Sequence, residues 1–170
     1  SRDQLANLEQ DLSQAKDARV SELTQEIESL TSLKEEHKQK YSSMNVDIAT
    51  LEKNLSSVRE SKSSVLLNIG EIQKKLDLYS KNKCPHCLSD LTDEAHLGIK
   101  DKLMDKKSQQ EAQLPTINSE IESASQALSD KKSEQSAFRD KFYQVDGVLA
   151  PLKQELATIS QEKPDSQRGT

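Results

Sequence analysis

The 170-residue sequence has few of the residues from which a compact core is built. It contains no tryptophan, and 3% of its residues are aromatic and 32% hydrophobic, whereas 31% are charged. This composition excludes an ordinary globular core and leaves two classes. One is a disordered segment, and the other is a long helical coiled coil, which needs only a narrow apolar stripe. The placement of the apolar residues decides between them.

Several functional signatures are also missing. There is no long apolar run and no basic-then-apolar leader, so we predict neither a membrane span nor a signal peptide. The net charge of −5 gives no general attraction to nucleic acid or membrane, so direct DNA binding is not expected. No Gly-Lys-Thr phosphate loop or catalytic triad is visible. We predict that the chain is no enzyme by itself and, since it starts with Ser1, that it is a segment of a larger protein.

The apolar residues before the two cysteines follow a heptad-like pattern. Alternate steps of three and four from Val20 to Tyr79 select eighteen positions, of which fifteen are apolar. Only six of the other forty-two positions in this range are apolar. Such a seam indicates a long coiled-coil helix and excludes disorder. Leu5, Leu8, Leu12 and Ala15 are predicted to continue it toward the N-terminus.

A second seam follows the cysteines, from Leu114 to Lys163, with twelve of fifteen positions apolar. We therefore predict an all-α fold, a long antiparallel coiled-coil hairpin with a CxxC turn at its apex. The predicted boundaries are an ascending helix over 1–83, an apex over 84–91, a descending helix over 92–163 and a frayed tail over 164–170. The residue types also predict a Thr92 cap, a loosely packed stretch with Leu103 and Met104 as its apolar contacts, and breaks near Pro115 and Pro151.

The hairpin prediction carries a register and a length. The CxxC lies at the midpoint of the chain, so residue i is predicted to face approximately residue 171 minus i. This places Lys34 and His37, both polar residues of the first seam, near 137 and 134, and Val20 near Pro151. Each arm could extend about 120 Å at 1.5 Å per residue.

The apex contains both cysteines of the chain, in the sequence KNKCPHCLSD over 81–90. Zinc is held by four ligands, and Cys-x-x-Cys lets Cys84 and Cys87 bind one ion from a single bend that Pro85 stiffens. One chain supplies half of such a site, and a second copy would complete it with twofold symmetry. Four lysines that precede the motif would favour thiolate formation, or else are simply solvated: Lys74, Lys75, Lys81 and Lys83.

Other ligands and other functions compete with this reading. His86 lies between the cysteines and is poorly placed to reach the same ion, His96 is predicted to lie within the returning helix, and His37 is interpreted as a polar seam residue. Cys-Pro-His-Cys also resembles the tetrapeptide of oxidising thioredoxin-fold enzymes, although that fold needs strands that this sequence does not predict. A passive coiled-coil spacer with incidental cysteines remains a third reading.

The stretch KNKCPHCLSDLTDEAHLGIKDKL, over 81–103 and flanked by heptads, resembles the zinc hook of the SMC-like ATPases of double-strand-break repair, the SbcC-type family that works with a nuclease. The resemblance implies Cys84 and Cys87 as zinc ligands, Pro85 as the bend residue and 90–96 as the start of the returning helix. Leu88 stands where that family often has glycine. Tyr79, Leu88 and Leu91 are weaker candidates for contacts between two tips.

The function that the resemblance implies is zinc-dependent, tip-to-tip tethering. One Zn²⁺ would be shared by a homodimer of hooks, and the parent complex would include an ATPase head, a nuclease subunit and DNA. The ATPase and nuclease activities would lie in other parts of that complex. An intracellular setting is expected, either cytoplasmic and nucleoid or nuclear, because a reducing compartment favours metal or redox use of a CxxC pair over a structural disulfide.

Overall fold

Two long helices account for the part of the chain that the structure, a computed structural model, describes. The structure describes residues 1–81, 83 and 94–168. For residues 94–97 and 162–168 it describes the backbone and not the side chains. Helix α1 spans Arg2–Ser80 and helix α2 spans Glu94–Arg168. Over these residues the chain is all-α and forms no strand, as the sequence predicts. None of the described stretches is long and apolar enough to cross a bilayer.

The length of α1 has a simple origin in the sequence. No proline or glycine occurs before Gly70, so neither residue type interrupts the hydrogen-bond ladder of α1 from Arg2 to Ile69. Ser1 caps the start, because its hydroxyl accepts from the Gln4 amide at 3.4 Å and its carbonyl from the Leu5 amide at 3.3 Å. At the other end, the Leu78 carbonyl accepts from the amides of Lys81 at 3.1 Å and Lys83 at 2.9 Å, which closes the last turn.

The prolines do not break α2. The helix continues through Pro115 and Pro151 and past Pro164 to Arg168, so none of the three prolines interrupts the helical assignment. A proline removes a single amide donor from the hydrogen-bond ladder of the helix, and all the non-proline residues still contribute theirs. Both Pro115 and Pro151 lie next to seam residues, Leu114 and Leu152, whose side chains are half-buried and help to hold the helix in place.

Burial follows the predicted seams closely. All eighteen seam positions of α1 from Val20 to Tyr79 are buried or half-buried, and so are the fourteen described positions of the α2 seam. Leu103, Lys107 and Gln110 extend the α2 pattern toward its N-terminus, so the polar stretch keeps the same spacing. Met104, predicted as a contact, is half exposed and lies outside this pattern. The repeated burial at steps of three and four is typical of coiled-coil-like helices.

The chain divides into two units, each containing part of both helices. The terminal unit comprises Ser1–Val46 and Lys132–Thr170, and the middle unit comprises Asp47–Lys131. Within the terminal unit the helices are antiparallel, since Arg19 contacts Glu155, Lys34 contacts Asp146 and Asn45 contacts Gln135. In the middle unit Asp47 lies 3.8 Å from Lys131, and residues near Val58 share a cleft with residues near Ser119, which gives the same antiparallel sense.

The register differs from the prediction. The numbers of Arg19 and Glu155 add to 174, and those of Lys34 and Asp146 add to 180, rather than to the predicted 171. The helix ends explain the direction of the shift, because Ser80 and Glu94 add to 174. The connection between the helices is therefore not centred on the midpoint of the chain. Lys34 consequently pairs with Asp146 and not with the positions near 137 that the midpoint rule assigns to it.

The N-terminal continuation of the seam is a second correction. Leu5, Leu8 and Leu12 are between 60% and 63% exposed, so they are not covered as the seam prediction requires. The apolar stripe of α1 is therefore covered from Val20 onward and not over these three leucines.

Candidate metal site and polar seam

The residues that lead into the cysteine motif are well placed by α1. Leu76 and Tyr79 are buried in the middle unit at 9% and 8% exposure, and Ser80 donates its hydroxyl to the Asp77 carbonyl at 2.7 Å. Tyr79 thus packs within its own chain, and its role as a contact between two tips stays a prediction. These contacts fix the end of α1 four residues before Cys84.

The predicted ligands themselves lie in the connection between the helices. Cys84 and Cys87 fall outside the described residues, as do Pro85, His86, Leu88, Leu91 and Thr92. His96 lies within α2, but its side chain is also outside the described part. Among the described side chains, no three His, Cys, Asp or Glu groups are arranged to hold a metal ion.

The electrostatic surroundings of the motif are described on the α1 side. Lys74, Lys75, Lys81 and Lys83 are all exposed, whereas Asp77 on the same stretch accepts a hydrogen bond from the Gln73 amide at 2.8 Å. Four exposed cations within ten residues of Cys84 can favour the anionic form of a thiol nearby. A four-thiolate zinc site carries two net negative charges, so this charge distribution suits such a site.

Three polar residues of the seam, Lys34, Lys131 and Gln135, form a second set of interactions, each with partners on the facing helix. The Lys34 Nζ atom lies 2.6 Å from an Asp146 carboxylate oxygen. The Gln135 amide donates to the Asn45 side-chain oxygen at 2.7 Å and to the Tyr41 carbonyl at 3.0 Å. What the sequence presents as interruptions of an apolar seam are therefore cross-helix polar contacts that fix one register.

Arg19 and Glu155 form a bidentate pair that sequence reasoning missed. The Arg19 Nε and Nη2 atoms donate to the two Glu155 carboxylate oxygens at 2.9 and 3.0 Å. This hydrogen-bonded pairing lowers the pKa of Glu155 and raises that of Arg19. The hydrogen bond from Lys34 likewise lowers the pKa of Asp146. Arg19 lies between Ala15 and Val20, where the spacing of the seam residues is five instead of three or four. This irregularity is visible in the sequence, but only the register of the two helices identifies Glu155 as the partner of Arg19.

His37 differs from these polar seam residues. It is half-buried beside Phe138, with 6.0 Å between the ring centroids, and its buried Nδ1 atom has no hydrogen-bond partner among the residues that the structure describes. Burial of an unpaired polar atom costs free energy that a paired one does not. His37 therefore lies in the seam, as the sequence predicts, but its buried and unpaired nitrogen is unfavourable for stability.

Comparison with known proteins gives no assignment: no family model matches the chain, and no curated protein or solved structure matches it.

Proposed function

We propose that this chain is a zinc-dependent tethering module, in which Cys84 and Cys87 of two copies hold one Zn²⁺ and join two antiparallel coiled-coil hairpins tip to tip. The observation that carries this proposal is the position of the motif. Its two thiols fall between the end of α1 at Ser80 and the start of α2 at Glu94, with helices that run antiparallel in each unit.

The chemistry follows from the coordination that zinc requires. Two thiolates from one Cys-x-x-Cys leave two of the four tetrahedral positions open, and a twofold-related copy supplies the same pair. Lys81 and Lys83, both exposed, would lie close to the two net negative charges of the completed site. Because zinc requires deprotonated thiols from two chains, association should depend on metal, pH and protein concentration.

The wider role belongs to the same proposal. A tip-to-tip joint between long helical arms would tether two ends at a distance, which is the task of the zinc hook in SMC-like double-strand-break repair ATPases. In this role the chain contributes no catalysis and no direct DNA contact, while an ATPase head and a nuclease subunit of the parent complex act at the far ends. The proposal rests on the resemblance over 81–103 together with the helical arms on either side.

The test is zinc content together with solution mass. The purified chain is expected to contain about half a zinc ion per chain and to be a dimer by light scattering. The Cys84→Ser, Cys87→Ser double variant should lose the zinc and the dimer, while circular dichroism shows unchanged helicity. The matched controls are His86→Ala and His96→Ala, which should retain both, because neither histidine is a ligand in this proposal.

Two results would contradict the proposal. One zinc per monomeric chain, lost in either histidine variant, would mean that the site is completed within one chain. A zinc-free helical monomer would leave the alternatives, and titration of its thiols separates them. An internal disulfide that exchanges with glutathione indicates a redox tip, whereas inert cysteines indicate a passive spacer.

A further inference from the structure

A cleft in the terminal unit concentrates most of the aromatic residues of the chain. It has a volume of about 320 Å³ and is lined by Lys38, Tyr41, Ser42, Arg139, Phe142 and Tyr143. Tyr41, Phe142 and Tyr143 line the cleft, and Phe138 lies one helical turn before Phe142. This part of the terminal unit therefore contains four of the five Phe and Tyr residues of the sequence. Tyr143 is 63% exposed although it is not a seam residue, and its ring meets that of Phe142 edge to face at 5.4 Å. Seam packing therefore does not account for its position.

The lysines around this cleft differ in whether they have a partner. Lys34 pairs with Asp146 and lies 5.0 Å from the centre of the Phe142 ring. Lys40 and Lys141 both lie over the ring of Phe138, at 5.4 and 4.9 Å from its centre. These three cations are thus engaged by carboxylates or rings.

The two cations that line the cleft are less engaged. Lys38 makes no hydrogen bond or ion pair with the part of the chain that the structure describes. Arg139 has one acidic neighbour, Asp140, at 3.5 Å, and both side chains are more than half exposed, so that pair contributes little. No acidic residue lines the cleft. The cleft therefore combines an aromatic surface with two available positive charges.

The clefts of the middle unit show that size alone does not produce this chemistry. They have similar volumes, about 350 and 440 Å³, yet no aromatic residue lines either one. The first is lined by Glu52 and Glu60 as well as Arg59, and the second has Glu120 as its charged residue. An anion would be attracted by the terminal cleft and not by these two.

We propose that the terminal cleft binds a small anion with a flat apolar body, such as an aromatic carboxylate. The ring would lie against Tyr41, Phe142 and Tyr143, and the anionic group would contact Lys38 and Arg139. The volume is at the lower end of the range for small-molecule sites, about 300 to 1,000 Å³. A surface of six residues is too small for a stable protein interface, which buries at least about 1,200 Å² in total. The site is independent of the zinc joint.

The test compares a charged and a neutral probe. Nitrogen–proton correlation spectra are recorded on the chain during titration with 2-naphthoate and with the isosteric neutral 2-naphthamide. Naphthoate is expected to give saturable shifts concentrated at residues 38–42 and 139–143. Lys38→Gln combined with Arg139→Gln should weaken naphthoate binding about tenfold, since the double variant removes both positive charges that would contact the carboxylate. Binding of the amide should be unchanged.

A matched control uses the middle unit. Lys53→Gln combined with Arg59→Gln removes the same charge from exposed positions there and should leave naphthoate binding as it is. Shifts spread over both units, equal binding of acid and amide, or equal effects of the two double variants would each overturn the assignment. So would tighter binding of a peptide such as acetyl-Glu-Glu-Phe-Glu-Glu-amide, which would indicate a protein segment as the occupant.

Discussion

The terminal and middle units are built from the same two helices, yet they use their seams differently. The terminal unit contains the two most completely buried side chains, Leu23 and Leu149, at 0% and 1% exposure. It also contains the polar residues Lys34 and Gln135, which bond across to the facing helix. The buried positions of the middle unit include the small residue Ala124, and none of its described side chains is as deeply buried.

This difference teaches that polar seam residues do not by themselves loosen a pair of long helices. An apolar seam can slide by a heptad with similar burial at every position, whereas a pair such as Lys34 and Asp146 is satisfied in one register. Leu23 and Leu149 reach complete burial in the unit that contains the Lys34–Asp146 pair at 2.6 Å, whereas the corresponding pair of the middle unit, Asp47 and Lys131, is longer at 3.8 Å. Close packing and short cross-helix polar contacts therefore occur together in the terminal unit.

The largest expected effect is the loss of stability when a fully buried leucine of the terminal unit is truncated. Leu149→Ala should destabilise the chain by about 3 kcal/mol, because it removes a fully buried side chain. Leu55→Ala in the middle unit should cost less, about 2 kcal/mol, since that side chain is less deeply buried. Urea unfolding followed by circular dichroism measures both. The matched control is Val148→Ala at the adjacent, half-exposed position, which should change stability by less than about 0.5 kcal/mol. Equal losses of stability in the Leu149 and Leu55 variants would contradict the inferred difference in packing between the two units.

The next effect separates paired from unpaired polar residues in one seam. His37→Leu should stabilise the chain by about 1 kcal/mol, because it removes a buried, unpartnered nitrogen. Gln135→Leu should destabilise it by a similar amount, about 1 kcal/mol, because it removes two cross-helix hydrogen bonds. Both are measured by urea unfolding under the same buffer conditions. A gain in both variants would mean that the Gln135 contacts contribute nothing to the register.

The smallest effect is the pH dependence of the ion pairs. The Lys34 contact lowers the pKa of Asp146 below its ordinary value of 3.8. Its stabilising effect is therefore complete above about pH 4 and is lost as the pH falls through the lowered pKa. Asp146→Asn should flatten the acid limb of stability against pH, measured from pH 6 to pH 2, and 1 M salt should reduce the difference from wild type. The same slope in both proteins would show that the pair is too exposed to matter.

Much of the fold can be predicted from the spacing of apolar residues. The step of three and four identifies every described seam position, including Lys34, His37 and Gln135, which are polar yet half-buried. The reason is that the period of a helix fixes which residues share a face, whatever their chemistry. The prediction of helical arms depends on nothing else.

The register and the partners depend on information that the period does not contain. The pairing of Lys34 with Asp146 requires the positions at which the helices end, and these lie at Ser80 and Glu94, not symmetrically about the midpoint of the chain. The chemistry of the cleft at Tyr143 also depends on that register and not on either helix alone, because residues of both helices line it. The cysteine motif is predicted from residue type, and its ligation remains a proposal.

The helical course through Pro151 has a mechanical consequence. Proline has no amide hydrogen, so the carbonyl of Gly147, one turn earlier, lacks its helical donor. Gly147 and Pro151 are both exposed. Leu149, which lies between them, and Leu152, which follows Pro151, pack into the seam. When a pulling force acts along α2, this turn resists with one hydrogen bond fewer than its neighbours. Elongation of the helix under tension should therefore begin here, with the buried leucines setting the force at which it yields.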